Sequence, residues 1–320
     1  MTQHYVFVMD PVTAVLVNED TSFSLMLEAE HRGHRVSHCQ PQDLYLRDGT
    51  LYARVAPATM QRLASAPIIL GEHEDICLHD VDAVFVRKDP PFDSNYLYCT
   101  LMLEHVMGQT LVVNRPAGLR AANEKLYTCM FPELMPATLV SNDKARIRRF
   151  VGEIGGKAVI KPLDGAGGEG VMALLEGDLN FNAIVEATTR HGQRVAMVQE
   201  FLPEVQQGDK RILLLDGEPL GAILRVPQTG DMRSNIHVGG QVQRATLSEA
   251  DHRIIEAIAP RLEADGLFFV GLDVIGERLT EVNVTSPTGI QQMSRLDNEN
   301  YSARVISWAE VHAQSLEQGK

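Results

Sequence analysis

Apolar and polar positions along the chain alternate in two periods, and the switches between them lay out the expected elements. The run Tyr5–Met9 reads as a short buried strand that stops at Asp10-Pro11. Thr21 or Ser22 can cap a helix reaching about His31 and ending at Gly33, and Arg35–Cys39 is the next strand. Strand, helix, strand opens an α/β sheet, and ligands of such sheets collect at the carboxyl ends of strands, where Asp10-Pro11 lies. Leu44–Leu46 and Leu51–Ala53 flank Asp48-Gly49, a hairpin signal. Asp82–Val86 is another buried strand. It runs directly into Arg87-Lys88-Asp89-Pro90-Pro91-Phe92-Asp93, a rigid charged loop before a helix over about Ser94–Met107. Leu111–Val113 is a fourth strand, and Arg115–Leu119 leads into a short helix.

The pattern then changes character. Ala122-Asn123-Glu124-Lys125 starts a helix, Ala137–Val140 is a strand, and Asp143–Glu153 is a helix with Arg146, Arg148 and Arg149 on its wet side. Lys157–Pro162 is an apolar strand carrying Lys161. Gly165, Gly167, Gly168 and Gly170 follow within one short loop, and Val171–Leu175 is the next strand. Such a loop lets the backbone approach a ligand and present N–H groups to an anion. It does not match GxxxxGK[ST], and it does not open a helix as GxGxxG would, so a strand on either side makes it a hairpin flap. Phe181–His191 is a helix. Val195–Phe201 is a strand that ends in Gln199-Glu200-Phe201-Leu202-Pro203. Gly208-Asp209-Lys210-Arg211 begins a strand through Leu215, Asp216-Gly217 turns it, and Pro219–Arg225 returns. Arg233, Asn235, Gly239 and Gly240 lie in a polar loop. Glu249–Asp265 is an amphipathic helix stopped by Gly266, and a last helix covers about Tyr301–Gln314.

The stretch from Val270 to Thr288 carries the most chemistry. Val270, Leu272 and Val274 alternate with smaller or polar residues, Gly276 turns the chain, and Leu279, Glu281 and Asn283 share one face of the return strand. Paired across the turn, Asp273 faces that side too. Two carboxylates and an amide on one sheet face are costly unless something positive sits there. Oxygen ligands alone suit a hard cation, Mg²⁺ or Mn²⁺, that keeps waters and binds phosphates.

Composition narrows the class. Length allows two or three domains, and 44% apolar with 22% charged residues is ordinary for a globular protein. The net charge of −13, without a long basic run, argues against nucleic acid or an anionic membrane as the main partner. An anionic ligand would then need local Lys and Arg. Cys39, Cys77, Cys99 and Cys129 form no CxxC pair and read as reduced, mostly buried thiols of a cytoplasmic protein, and no signal-peptide or membrane-length apolar run appears. His31, His34 and His38 read as surface residues. No Ser–His–Asp or Cys–His arrangement is evident, so phosphoryl transfer is favoured over hydrolysis by an enzyme nucleophile.

In chain order, Lys125, Lys161 before the glycine flap, Gln199–Leu202, a basic cluster from Lys210 to Arg233, and Asp273, Glu281 and Asn283 follow one another. Basic groups and backbone N–H groups hold phosphates, and carboxylates hold the Mg²⁺ that bridges them. This order resembles the ATP-grasp carboxylate–amine ligases. VMDP at 8–11, FVRKDPPFD at 85–93, NEKL at 123–126, VIKPLDGAGG at 159–168, GDKRILLLDGEP at 208–219 and FVGLDVIGERLTEVNVTSPTGI at 269–290 look like bacterial glutathione synthetases. The resemblance covers about residues 5 to 310. The string GIQQMSRLDNEN at 289–300 departs from the pattern.

The resemblance implies an ATP-grasp fold of the α/β (α+β) class: an N-terminal open parallel α/β domain (1–122), a small lid domain (123–202) and a mostly antiparallel C-terminal domain (203–320). It implies that ATP, γ-glutamylcysteine and glycine give glutathione, ADP and phosphate through an acyl phosphate. By position, Lys125, Lys161, Gly165, Gly167, Gly168, Gln199, Glu200, Phe201, Leu202 and Asp209 are expected to hold ATP. Asp273, Glu281 and Asn283 are expected to hold Mg²⁺ or Mn²⁺. Arg211, Arg225 and Arg233 are expected at the acyl phosphate, and Arg87, Asp89, Arg225, Arg233, Ser286 and Thr288 at the substrates. A homotetramer is also implied. The alternatives are another ATP-grasp ligase, of the glutamate-tail or D-alanine type, and an inactive nucleotide-binding regulator. The loop at 87–93 speaks against the first, and the intact flap and carboxylates against the second.

Overall fold

The computed structural model describes residues 2–228 and 240–318. The first apolar segments pair into a parallel core whose strands are buried on both faces. β1 (His4–Met9), β2 (Arg35–Cys39), β7 (Ala83–Arg87) and β8 (Leu111–Val113) run parallel. β3 (Leu44–Arg47), β4 (Thr50–Met60), β5 (Ile68–Leu70) and β6 (Glu74–Cys77) extend one edge antiparallel, giving the order β3-β4-β2-β1-β7-β8 with β5 and β6 on β4. α1 (Thr21–His31) leads from β1 to β2, α2 (Ser94–Leu103) leads from β7 to β8, and α3 (Pro116–Ala121) follows β8. The side chain of Asp20, not Thr21 or Ser22, caps α1 by accepting from Phe23 N.

The second sheet is antiparallel, ordered β11-β10-β12-β9 from β9 (Thr138–Ser141), β10 (Lys157–Pro162), β11 (Met172–Leu175) and β12 (Ala196–Glu200). α4 (Lys144–Glu153) and α5 (Phe181–Thr188) cover it. Its buried core, which includes Ile147, Ile160, Phe181 and Val198, takes no residue from the other sheets. The second sheet thus carries a core of its own.

The third sheet is antiparallel too, ordered β15-β14-β13-β16-β17 from β13 (Asp209–Leu215), β14 (Glu218–Val226), β15 (Gln241–Arg244), β16 (Phe269–Ile275) and β17 (Arg278–Asn283). α6 (Glu249–Asp265), α7 (Ile290–Asp297) and α8 (Tyr301–Gln318) complete this part. Its apolar side chains join those of the first sheet: Val84 and Val112 belong to one buried cluster with Ile212, Leu272 and Val282. No helix among the described residues is long and apolar enough to cross a membrane.

Several expectations need correction. Residues 122–125 do not start an α-helix. Asn123 Oδ1 accepts from Lys125 N and Leu126 N, and Glu124 O accepts from Val282 N of β17, so this backbone is committed elsewhere before a 3₁₀ turn over Leu126–Met130. Leu279 does not share a face with Glu281. A register shift after Asp273 places Leu279 in the core beside Val282 while Glu281 pairs with Asp273. His34 and His38 are buried, not surface residues. His34 Nδ1 accepts from Gln3 N and Nε2 meets Glu310 on α8 at 2.7 Å, while His38 Nε2 contacts Asp10 O. The four cysteines are free, with Cys39 and Cys99 buried, Cys77 half-buried and Cys129 exposed. α7 falls within the departing string at 289–300. Its first residues, from Ile290 to Met293, are buried, and Gln291 donates to Asp20 O at the start of α1.

Candidate active site

A cleft lies between the second and third sheets, and the glycine hairpin lines one side of it. The sheet register explains which side chains enter. Asp209 sits opposite Arg225, Arg211 opposite Asp273, and Asp273 opposite Glu281, so these five groups stand on one face of the third sheet. Asn283, two residues beyond Glu281, shares that face. The apolar residues between them fill the core beneath.

The positive groups that this face needs are in place. Arg211 donates to both oxygens of Asp273, at 2.5 and 3.0 Å, and Arg225 reaches Asp273 at 3.0 Å and Asp209 at 2.5 Å. Asp273 is 3% exposed. Burial alone would raise its pKa, but the two guanidinium groups outweigh burial and hold the carboxyl well below its usual range. Burial likewise opposes the charge of Arg225, and Asp209 and Asp273 outweigh it and raise its pKa. Arg225 Nε is buried without a partner among the described residues, and the residue lines the chamber next to the cleft.

Lys125 and Lys161 face this sheet from the other side. Lys125 Nζ pairs with Glu281 at 2.9 Å and donates to Gly165 O in the flap at 2.5 Å. Lys161 Nζ donates to Gln199 Oε1 at 2.6 Å across the β10–β12 pair, and Gln199 is fixed in turn by Thr138 Oγ1. Burial lowers the pKa of Lys161, against the pull of Glu281.

β12 ends at Glu200, and Phe201 and Leu202 continue from it along the cleft. Phe201 is held by its N–H to Lys157 O and by Lys157 Nζ lying 3.5 Å from its ring centroid. In the flap, a Cβ at Gly165 would meet Glu169 O at 2.9 Å, and Gly167 holds φ +61°. Gly168 lines the same cleft, and Asp164 pairs with Arg194 at the flap's base.

A second chamber opens toward the first sheet. Asp89, Arg211, Arg225, Glu281 and Asn283 line its near part, with Ser286 and Thr288. Ser286 and Thr288 continue into a recess with Arg87 and Asp89 at the carboxyl end of β7. Arg87 is buried there. Its Nε donates to Ser22 Oγ, its Nη2 donates to Pro287 O at 2.9 Å, and its Nη1 has no partner among the described residues. Burial lowers its pKa, countered by Asp20 and Asp89.

Of the residues singled out from the sequence, all but one line these connected spaces, and Arg233 lies outside the described residues. Sequence reasoning missed Glu124, whose carboxylate accepts three hydrogen bonds from Val284 and Thr285. It also missed Asn114, whose amide ties the end of β8 to Phe269 and Val284. Glu124 stands in the NEKL string, where its neighbour Lys125 drew the attention. Asn114 follows an apolar strand with no chemical signal.

The donor set fits a hard divalent cation. Glu281 presents a carboxylate to both chambers, and Asn283 gives its Nδ2 to Gly271 O, which leaves its oxygen as the acceptor. Among the described residues no group of three or more His, Cys, Asp or Glu forms a closed metal cage. An ion with few protein ligands, completing its shell from phosphate and water, matches that arrangement. The oxygens of Asp273 engage the arginines instead of facing the cleft freely.

Two antiparallel sheets with a glycine flap over the cleft between them give the chain the fold of solved ATP-grasp proteins. The solved D-cycloserine synthetase DcsG shares it at a TM-score of 0.66 and 16% identity, with 98% of this chain and 99% of that one covered. A RimK domain ATP-grasp protein from Sphaerobacter thermophilus matches at 0.61 and 19%, over 96% and 99%. The particular family follows from sequence. The model for the prokaryotic glutathione synthetase N-terminal domain matches residues 4–120, and that for its ATP-grasp domain matches 124–298. A glutathione synthetase of Synechocystis sp. is 44% identical over 319 residues, covering 95% of this chain and 98% of the relative. The chain belongs to the prokaryotic glutathione synthetase family.

Proposed function

We propose that the chain joins γ-glutamylcysteine to glycine at the expense of ATP, forming glutathione, ADP and phosphate. The observation that carries the reading is the single sheet face bearing Asp209, Arg211, Arg225, Asp273, Glu281 and Asn283 beneath a glycine flap. It adjoins a chamber reached from the family's N-terminal domain.

ATP lies in the cleft, with adenine along Gln199–Leu202 and phosphates toward Lys125, Lys161 and the N–H groups of the flap. Asp209 serves the ribose side. Glu281 and Asn283 would hold Mg²⁺ or Mn²⁺, and the ion would supply charge neutralisation to the phosphates. Asp273 joins them only by releasing an arginine contact, and otherwise anchors Arg211 and Arg225. Those arginines, with Arg233, orient the cysteinyl carboxylate and balance negative charge as its oxygen bonds to the γ-phosphorus and ADP departs. The glycine nitrogen then attacks the carbonyl carbon, and phosphate leaves with the C–O electron pair. The flap excludes the water that would hydrolyse the acyl phosphate. The recess at Arg87 and Asp89 receives the remote, zwitterionic end of the dipeptide, and Ser286 and Thr288 line the path between. We place the protein in the cytoplasm as a homotetramer, which light scattering tests.

The function is tested by ADP release with each substrate pair. γ-Glutamylcysteine plus glycine is expected to support turnover, and either one alone is not. Turnover with D-alanine or glutamate but not with this pair overturns the assignment.

A further inference from the structure

We propose that Glu124 is a positioning residue for this reaction. It fixes the end of β17 and the loop beyond it, and so sets where Glu281, Asn283 and Ser286 present their oxygens. The inference rests on reading the cleft as a cation-assisted ligase site.

The geometry is specific to this residue. The ladder of β16 with β17 ends at the Gly271–Asn283 pair, so the next N–H groups, on Val284 and Thr285, have no strand to donate to. One oxygen of Glu124 accepts both, at 3.0 and 3.1 Å, and also the hydroxyl of Thr285 at 2.8 Å. The backbone oxygen of Glu124 accepts from Val282 N at 3.0 Å. These four bonds bracket Asn283 and begin one residue after Glu281. The flanking residues tie the same point to the flap. Asn123 Nδ2 donates to Leu163 O at 3.0 Å, and Lys125 Nζ bridges Gly165 O and Glu281. Glu124 thus sits where the flap, the oxygen-bearing strand and the substrate chamber meet.

The test measures Mn²⁺ binding by electron paramagnetic resonance with a non-hydrolysable ATP analogue, together with kcat, KM and melting temperature. Groups that orient metal ligands typically matter about 10–100-fold in affinity or activity. Glu124→Ala is expected to weaken Mn²⁺ binding and lower kcat by that factor, with KM for ATP little changed. Glu124→Gln keeps an acceptor at the same reach and is expected to stay within about fivefold of wild type on both. Thr285→Val removes one donor and is expected to fall between wild type and Glu124→Ala; it carries the test if Glu124→Ala does not fold. A variant pair with lowered melting temperature but wild-type Mn²⁺ affinity and kcat overturns the proposal, because the residue is then only structural. Equal damage in Glu124→Gln and Glu124→Ala also overturns it, because charge rather than placement is then what counts. If the wild-type protein fails to ligate the two substrates, the functional reading falls, while the Mn²⁺ measurement still decides the role of Glu124.

Discussion

Replacing Asp273 by Asn tests the electrostatic core of the site. Asp273 is buried and balances two arginines, taking two hydrogen bonds from Arg211 and one contact from Arg225. The amide keeps the shape, removes the charge and turns a donor toward a guanidinium. Breaking a buried ion pair on one side costs about 3–5 kcal/mol. Arg225 keeps Asp209 at 2.5 Å, whereas Arg211 keeps only Thr288 O at 3.3 Å, so the expected loss is the lower value, ~3 kcal/mol. With an unfolding entropy of about 2.1 cal/mol/K per residue, a 320-residue chain shifts by about 1.5 °C per kcal/mol, so the melting temperature falls by about 4–5 °C.

The sign with pH follows from the depressed carboxyl. Its folded pKa lies below the unfolded value of about 3.9, so its contribution is complete above that value and is lost as pH falls through the folded one. The difference between wild type and Asp273→Asn should therefore be constant from about pH 5 to 8 and shrink only in strong acid. Calorimetry across that range is the assay. A melting temperature within about 2 °C of wild type at neutral pH would show that Asp273 does not hold the arginines.

Three further outcomes are expected. Glu281→Gln should lower kcat by at least about a hundredfold, ~2.7 kcal/mol, with circular dichroism unchanged, because the side chain faces the cleft; near-normal turnover would refute its cation role. Arg87→Met should raise KM for γ-glutamylcysteine by about 10–100-fold, the worth of one or two charge-assisted bonds, and leave KM for ATP alone; an equal rise in both would remove Arg87 from the dipeptide recess. Since burial lowers the pKa of Lys161, KM for ATP should begin to rise at a lower pH than the ~10.4 of a solvated lysine implies, and Lys161→Arg should abolish that rise; identical pH profiles would refute it.

Much of the site was legible because its chemistry is concentrated in short strings. Glycines in one loop between two strands, and Glu281 and Asn283 two apart on a strand, fix flap and face by local rules. The rest depends on contacts between distant segments. That Asp273 answers Arg211 and Arg225 follows from which strands are neighbours in the third sheet, and spacing along the chain does not encode that order. Leu279 was misplaced because one bulge reverses the alternation. The burial of His34 depends on Glu310, 276 residues away on α8. The role of Glu124 appears only when the end of β17 is seen to lack a strand partner.

The central claim, that the cysteinyl carboxylate is activated by phosphorylation in this cleft, is tested most directly by isotope transfer. γ-Glutamylcysteine labelled with ¹⁸O in its cysteinyl carboxylate is incubated with ATP, glycine and Mg²⁺, and the phosphate is read by ³¹P nuclear magnetic resonance. An acyl phosphate predicts one ¹⁸O in each phosphate released, because the oxygen that bonds to phosphorus leaves with it. Phosphate without label, formed as the peptide bond is made, would contradict the account.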